Sequence, residues 1–278
     1  MLGPPSGPSA LEWPTTLFVD GDRNEISDSV VVEDPLELQI ASDDGVPAPL
    51  AVTLRTPGHD RELAAGLLYA EGLVENATDL LAIEEVQAGE APGSRVIARI
   101  GRAPEGAVPH PRPFLSTAAC GLCGKASVDA VFASGFPPLP PGPRLDLALL
   151  RDLPRRMAPS QRVFAATGGL HAAALFSADG ELLLLREDIG RHNAVDKVVG
   201  ALLLAGRLPA GETVLAVSGR IGFEIAQKAL RAGVPVLAAV GAPSTLALRL
   251  AARAGMTVVG FLRADRCNVY CGLERVAS

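Results

Sequence analysis

The chain has 278 residues, 48% of them hydrophobic and 20% charged, with a formal net charge of −6 and a pI near 5.3. That composition excludes a disordered chain and offers no global attraction to nucleic acid or an anionic membrane. The length suits roughly two domains.

No run approaches the roughly 20 apolar residues of a membrane-spanning helix. The start, Met1-Leu-Gly-Pro-Pro-Ser-Gly-Pro-Ser9, lacks the basic and apolar parts of a signal peptide. A cytoplasmic protein is expected. Its four cysteines then point to metal, catalytic or redox chemistry rather than a disulfide framework.

In chain order, residues 1–14 read as a flexible tail, with Trp13 as a packing anchor. Residues 15–110 read as a small α+β domain. Its strands are expected at Thr15–Asp20, Ser29–Glu33, Leu36–Ile40 and Leu50–Thr56, separated by Gly-Asp, Asp-Pro and Asp-Asp-Gly turn signals. A helix starts near Pro57-Gly-His59-Asp60, places Leu63, Leu67 and Leu68 on one face, and closes at Gly72. Ser94–Ile100 alternates like a further strand. Proline-dense stretches around 103–116 and 137–143 bracket a cysteine segment, 111–145.

From 146 to 278 the pattern changes. Strands at His171–Ser177, Glu181–Arg186, Thr213–Val217, Val234–Val240 and Met256–Phe261 are interspersed with helices at about 190–205, 221–231 and 243–254. Such alternation predicts a largely parallel sheet covered by helices. Ligands of such sheets sit at the carboxyl ends of the strands.

The chemistry-bearing residues begin with Cys120-Gly-Leu-Cys123, flanked by Gly121, Gly124 and Lys125. Thiolate is the nucleophile, and a helix start with Lys125 beside it would lower the thiol pKa. The same spacing suits half of a structural zinc site. Cys267 and Cys271 form a second pair that could complete four-cysteine coordination or simply be reduced thiols.

The densest polar cluster, Arg186-Glu-Asp-Ile-Gly-Arg-His-Asn-Ala-Val-Asp-Lys197, lies at a strand-to-helix junction. Asp188 is a candidate N-cap, and His192 and Asp196 share a helical face. Ser218-Gly-Arg-Ile-Gly222 and Gly241-Ala-Pro-Ser-Thr245 each lead from a strand into a helix, where free amides suit phosphate. With Arg220, Arg263 and Arg266 they suggest a pocket for a polyphosphate or nucleotide-like ligand. His59 and His110 read as loop or cap residues, and His171 as structural.

Together these motifs resemble the FdhD family of formate dehydrogenase accessory sulfurtransferases. The resemblance rests on Asp34-Pro-Leu, Thr56-Pro-Gly with Tyr-Ala-Glu-Gly72, Cys-Gly-Leu-Cys-Gly-Lys125 and Thr167-Gly-Gly-Leu-His171. It continues through Glu187–Lys197, Ser218-Gly-Arg220 and Gly260-Phe-Leu-Arg-Ala-Asp-Arg266.

It implies a cytidine deaminase-like mixed α/β sheet covered by helices, with a small α+β N-terminal domain, and a homodimer. It also implies a sulfur carrier that takes persulfide sulfur from a cysteine desulfurase and passes it to the molybdenum of bis-molybdopterin guanine dinucleotide for formate dehydrogenase. The cofactor is then a client rather than a resident group, and no permanently bound metal is expected.

The resemblance makes Cys120 the carrier and Cys123 its partner. Phe261, Leu262, Arg263, Ala264, Asp265 and Arg266 become the cofactor-binding stretch. Arg191, His192, Ser218 and Arg220 join them as candidate cofactor contacts. Cys267 and Cys271 depart from the family pattern, and their role stays open at this point.

Three readings compete. A deaminase-like hydrolase needs an H-x-E near its cysteines, and the chain has none. A cofactor chaperone needs the C-terminal pocket but neither cysteine of the CxxC. A thioredoxin-like oxidoreductase needs its CxxC at the first helix of an early strand–helix unit.

Overall fold

A computed structural model describes residues 8–87, 94–101, 115–116 and 139–277. The first strands, β1 (Ala10–Val19) and β2 (Asp22–Val31), form an isolated antiparallel hairpin. Asp20 and Gly21 turn it, both at positive φ, as a two-residue hairpin loop requires. Residues 10–14, expected within the tail, are thus half of a strand. Pro14 is tolerated because β1 pairs only with β2 and keeps an open edge. Leu11, Trp13, Leu17 and Val19 alternate onto one face, and Trp13 is 62% exposed. It is not a packing anchor.

A five-stranded sheet follows in the order β5-β6-β3-β4-β7, with β3 (Asp34–Ser42), β4 (Ala48–Arg55), β5 (Leu80–Gln87), β6 (Ser94–Ile100) and β7 (Leu115–Ser116). Helix α1 (Asp60–Ala70) lies on it, seating Leu63, Ala64 and Leu68 against Leu36, Leu38, Val96 and Ala98. His59, in the left-handed region, is its N-cap residue. Gly72, at φ +77, follows the helix as expected of a terminator.

The second sheet runs β10-β9-β11-β12-β13-β14. Its strands are β9 (His171–Ser177), β10 (Leu182–Asp188), β11 (Thr213–Val217), β12 (Val236–Ala239), β13 (Thr257–Gly260) and β14 (Asn268–Cys271). Only β11/β12 and β12/β13 are parallel. The other three pairings are antiparallel. The sheet is therefore mixed, as the family resemblance implies, and not largely parallel. The reason is that β9 and β10 form a hairpin rather than a crossover unit. A parallel pair, β8 (Leu145–Asp146) with β15 (Val276–Ala277), ties the end of the chain to this half.

Helices α4 (Arg191–Leu204), α5 (Phe223–Arg231) and α6 (Thr245–Arg253) cover one sheet face. Helix α2 (Leu147–Met157) covers the other through Leu150, Leu153 and Met157. The short α3 (Arg162–Thr167) links α2 to β9.

The two halves share one hydrophobic core, which runs from Leu36 and Val96 through α1 and α4 to Leu215 and Leu237. Its tightest point is the α1/α4 crossing. A Cβ on Gly66 would sit 2.0 Å from the Asp196 carbonyl oxygen, and one on Gly200 would sit 1.8 Å from that of Glu62. Backbone meets backbone there, so only glycine fits.

Candidate functional site at the strand ends

The junction motif that reads as a binding cluster divides into two sets of residues. Asp188 is wholly buried. Its carboxylate accepts from the Gly190 and Thr56 amides and Asn193 Nδ2, and pairs with Lys197 Nζ at 2.7 Å. Lys197 also donates to the Thr56 carbonyl at 2.9 Å, and Thr56 Oγ1 accepts the Ile189 amide.

The Thr56-Pro-Gly and Glu187–Lys197 motifs therefore interlock as structure. Asp188 is not the N-cap, a position taken by Gly190. Asn193 and Lys197 are consumed by this network and do not face a ligand. Glu187 accepts the Val163 and Phe164 amides. Arg186 grips Glu62 through two bonds of 2.5 and 2.7 Å. Burial works against the charged form of Glu62, but Arg186 and His59 outweigh it and hold its pKa below the ordinary value.

Arg191 and His192 remain at the rim. His192 Nε2 meets Glu224 Oε2 at 2.9 Å. Burial opposes ionisation of Glu224, yet the His192 bond prevails and lowers its pKa. Half-buried His171, which the sequence presents as merely structural, joins this group. Burial, then the nearby Arg191, His192 and Arg220, push its pKa down. Among the described residues neither Arg191 nor Arg220 forms a salt bridge. Ser218 is tied into the sheet, its Oγ accepting the Ala172 amide at 2.9 Å.

The loops leaving β11, β12 and β13 are laced side by side. Gly241 N donates to Gly219 O, and Phe261 N donates to Gly241 O, both at 3.1 Å. Leu262 is buried and bonded to Ala239 O. The Arg263 amide closes a turn onto Arg266 O at 2.9 Å. Phe261 enters that turn at φ 53, a left-handed conformation uncommon for an aromatic residue. Arg263, Ala264, Asp265 and Arg266 are exposed.

Beside the turn lies an open trough of about 910 Å³. Leu262, Arg263 and Ala264 form one wall, and α2 the other. Arg191, His192 and Arg220 do not line it. The single basic pocket read from the sequence is thus two groups on one sheet edge. One lies at β9/β11, the other at β12/β13. The sequence reading missed His171, Glu224 and the α2 residues Arg151, Asp152, Arg155 and Arg156.

Cys120 and Cys123 lie outside the described residues, as does His110. Cys267 and Cys271 do not act together. A bulge sets Val269 opposite Val259 but Cys271 opposite Val258. Cys267 therefore packs on the α2 side of the sheet and Cys271 on the other. Both are free thiols whose pKa burial raises. Packing on opposite faces of the sheet gives no support to joint ligation of one ion by these two thiols. No described helix is long and apolar enough to cross a membrane.

The chain is thus a mixed α/β protein that gathers two arginine-rich groups at the strand ends of its second sheet. The model of the FdhD/NarQ family matches residues 31–277, and the chain belongs to that family. The "Sulfur carrier protein FdhD" of Streptomyces coelicolor is 49% identical over 265 residues, covering 93% of this chain and 92% of the relative. The protein of the same description from Mycobacterium tuberculosis is 46% identical over 259 residues, covering 90% and 92%. A crystal structure assigned to a formate dehydrogenase accessory protein from Desulfotalea psychrophila superposes with a TM-score of 0.75 at 26% identity, over 97% of this chain and all of that one.

Proposed function

We propose that this protein is a persulfide-carrying sulfurtransferase. It receives sulfur on Cys120 from a cysteine desulfurase and delivers it to molybdenum in bis-molybdopterin guanine dinucleotide, a client bound on the way to formate dehydrogenase. The observation that carries this reading is the family match across 31–277, within which Cys120-Gly-Leu-Cys123 stands intact. The basic strand-end groups add support, because the client is polyanionic.

In the first step the Cys120 thiolate attacks the outer sulfur of the donor persulfide. A new S–S bond forms on Cys120, and the donor cysteine leaves as thiolate. In the second step Cys123 attacks the inner sulfur. Sulfide leaves toward the metal with the bonding pair, the two cysteines are left as a disulfide, and a cellular dithiol reopens it. Arg191, His192, Arg220, Arg263 and Arg266 hold the client's phosphates, with Ser218 and Phe261, Leu262, Ala264 and Asp265 completing the cofactor contacts. The carrier works in the cytoplasm as a homodimer.

Mass spectrometry after incubation with a desulfurase and cysteine tests the reading. One added sulfur atom localised to Cys120 is expected, and none in Cys120→Ala. Bound zinc with unmodified thiols, or formate dehydrogenase activation by Cys120→Ala, would overturn it.

A further inference from the structure

Glu224 has no part in the sulfur-transfer scheme, and neither do Asp196 and Lys228 beneath it. With His192 these side chains form two rungs between α4 and α5. At the rim His192 Nε2 meets Glu224 Oε2 at 2.9 Å, and below it Lys228 Nζ meets Asp196 Oδ1 at 2.5 Å. His192 and Asp196 stand four residues apart on α4, Glu224 and Lys228 four apart on α5, so the rungs stack one helical turn above the other.

Packing does not require charge at this depth. A buried ion pair loses hydration about as large as the attraction it gains, and an apolar pair of similar volume holds two helices as well. Asp196 adds to the deficit, because its Oδ2 is buried without a partner. Ionisable groups kept in such a place, one turn below a rim that carries Arg191 and Arg220, are candidates for the chemistry of that rim.

His192 is where the ladder reaches the rim. The Glu224 carboxylate accepts from Nε2, so that nitrogen carries a hydrogen. Nδ1 has no partner among the described residues and is not buried. A neutral ring so held presents a lone pair at Nδ1, which an oxyanion avoids. Only the imidazolium, with a hydrogen on each nitrogen, donates to both Glu224 and an oxyanion.

The charged and titratable groups around the ring are Arg191 on α4, Arg220 on the loop after β11, His171 on β9, and Glu224 and Lys228 on α5, with Asp196 one turn below. An oxyanion seated on the arginines offsets their charge. The ring then stands between two anions, the ligand at Nδ1 and Glu224 at Nε2, which is the setting of an imidazolium. We infer that Glu224 is a positioning residue: by holding His192 Nε2 it leaves Nδ1 for a bound oxyanion and couples that binding to uptake of a proton by the ring. The inference rests on the reading of this rim as a contact for the anionic client, and it adds the residue that orients His192 and the proton that travels with the anion.

Proton–nitrogen correlation spectra of the histidine rings in the full-length protein test this, with sulfate as the probe because its charge is constant around neutral pH. The chain has four histidines, and His192→Gln assigns the signal. Without sulfate, at mildly alkaline pH, the parent ring should be the tautomer protonated at Nε2. With saturating sulfate both nitrogens should be protonated. Sulfate affinity, read from the same signal, should fall with rising pH by up to about tenfold per pH unit, the limit for one proton. Glu224→Gln keeps an acceptor but no charge: the tautomer should persist, while the sulfate-linked protonation is lost and affinity drops at least about threefold. Glu224→Met removes the acceptor as well, and the ring should exchange tautomers. Arg249→Gln, exposed on α6, should match the parent throughout.

A parent ring that exchanges tautomers, stays neutral in saturating sulfate or does not respond to sulfate overturns the inference. So does a Glu224→Gln variant whose protonation and affinity equal the parent's. Persulfide loading of Cys120 is assayed separately. Its failure in the parent sinks the sulfur-carrier reading, while the histidine spectra still judge Glu224.

Discussion

The α1/α4 crossing gives the sharpest prediction about stability. In Gly200→Ala the new Cβ would lie 1.8 Å from Glu62 O and 2.7 Å from Gly66 N. Both are backbone atoms in a second helix, so no side chain can swing aside. An ordinary carbon–oxygen contact is near 3.4 Å, so the helices must part by roughly 1.5 Å or the chain must bend. Overpacking a filled core costs about 1–3 kcal/mol, occasionally more. This clash falls at the severe end because Leu63, Ala64, Ala194 and Val198 beside the crossing are all buried.

Alanine returns about 1 kcal/mol of helix propensity, leaving a net loss of about 2 kcal/mol. For a chain of this size that lowers Tm by roughly 4–8 °C. Gly66→Ala, 2.0 Å from Asp196 O, should behave alike. The double variant should lose less than the sum, since one separation relieves both clashes. Urea unfolding and calorimetry of the three variants make the measurement. If Gly200→Ala matches or exceeds the parent in stability, the helices do not meet through their backbones and the reasoning fails.

Two further predictions concern buried charge. Lys197→Met leaves Asp188 buried and without its cation, which costs about 3–5 kcal/mol. Adding Asp188→Asn should restore part of that loss, and urea midpoints of the single and double variants check the coupling. Asp196 is pushed up to about 6 by burial, against the attraction of Lys228 and His192 and with Glu224 adding to the rise. Its folded-state pKa exceeds the unfolded value, so its contribution to stability is complete below about pH 4 and is lost as pH rises through about 6. Unfolding free energies of Asp196→Asn and the parent from pH 4 to 7 should therefore shift in the variant's favour by on the order of 2 kcal/mol with rising pH. An unchanged difference would refute the assignment.

Much of the fold is legible in the sequence because single elements carry their own signals. Ser94–Ile100, His171–Ser177 and Thr213–Val217 are apolar or alternating runs bounded by turns, and the observed strands have those same limits. The expected strands Thr15–Asp20 and Ser29–Glu33 overlap only parts of β1 and β2, whose full extent is obscured because the apolar face of the hairpin is not buried and Pro14 sits in the middle of β1. Helix α2 went unassigned because Pro154 lies within it. The Asp152, Arg155 and Arg156 spacing, three and four residues apart, was the available signal, and by itself it describes an ordinary solvated helix face.

The site was legible only in part for a different reason. Which charges of Glu187–Lys197 point inward depends on Thr56 and Leu54, far away in the chain. The bulge that parts Cys267 from Cys271 depends on the register with β13. Neither has a local signature.

The Thr56–Asp188–Lys197 lock also constrains the order in which the chain can mature. Thr56 precedes its partners by 132 to 141 residues, and Glu62 precedes Arg186 by 124. At about 5–20 residues per second of synthesis, the first half waits on the order of 10 s for them. During that wait the Thr56 carbonyl has only water as a partner, the Glu62 carboxylate has only His59 and water, and the surface destined for α4 stays open. The nascent N-terminal half thus lacks the partners that close its α4-facing surface until the strand-end motif emerges, and a fragment ending before Arg186 lacks them altogether.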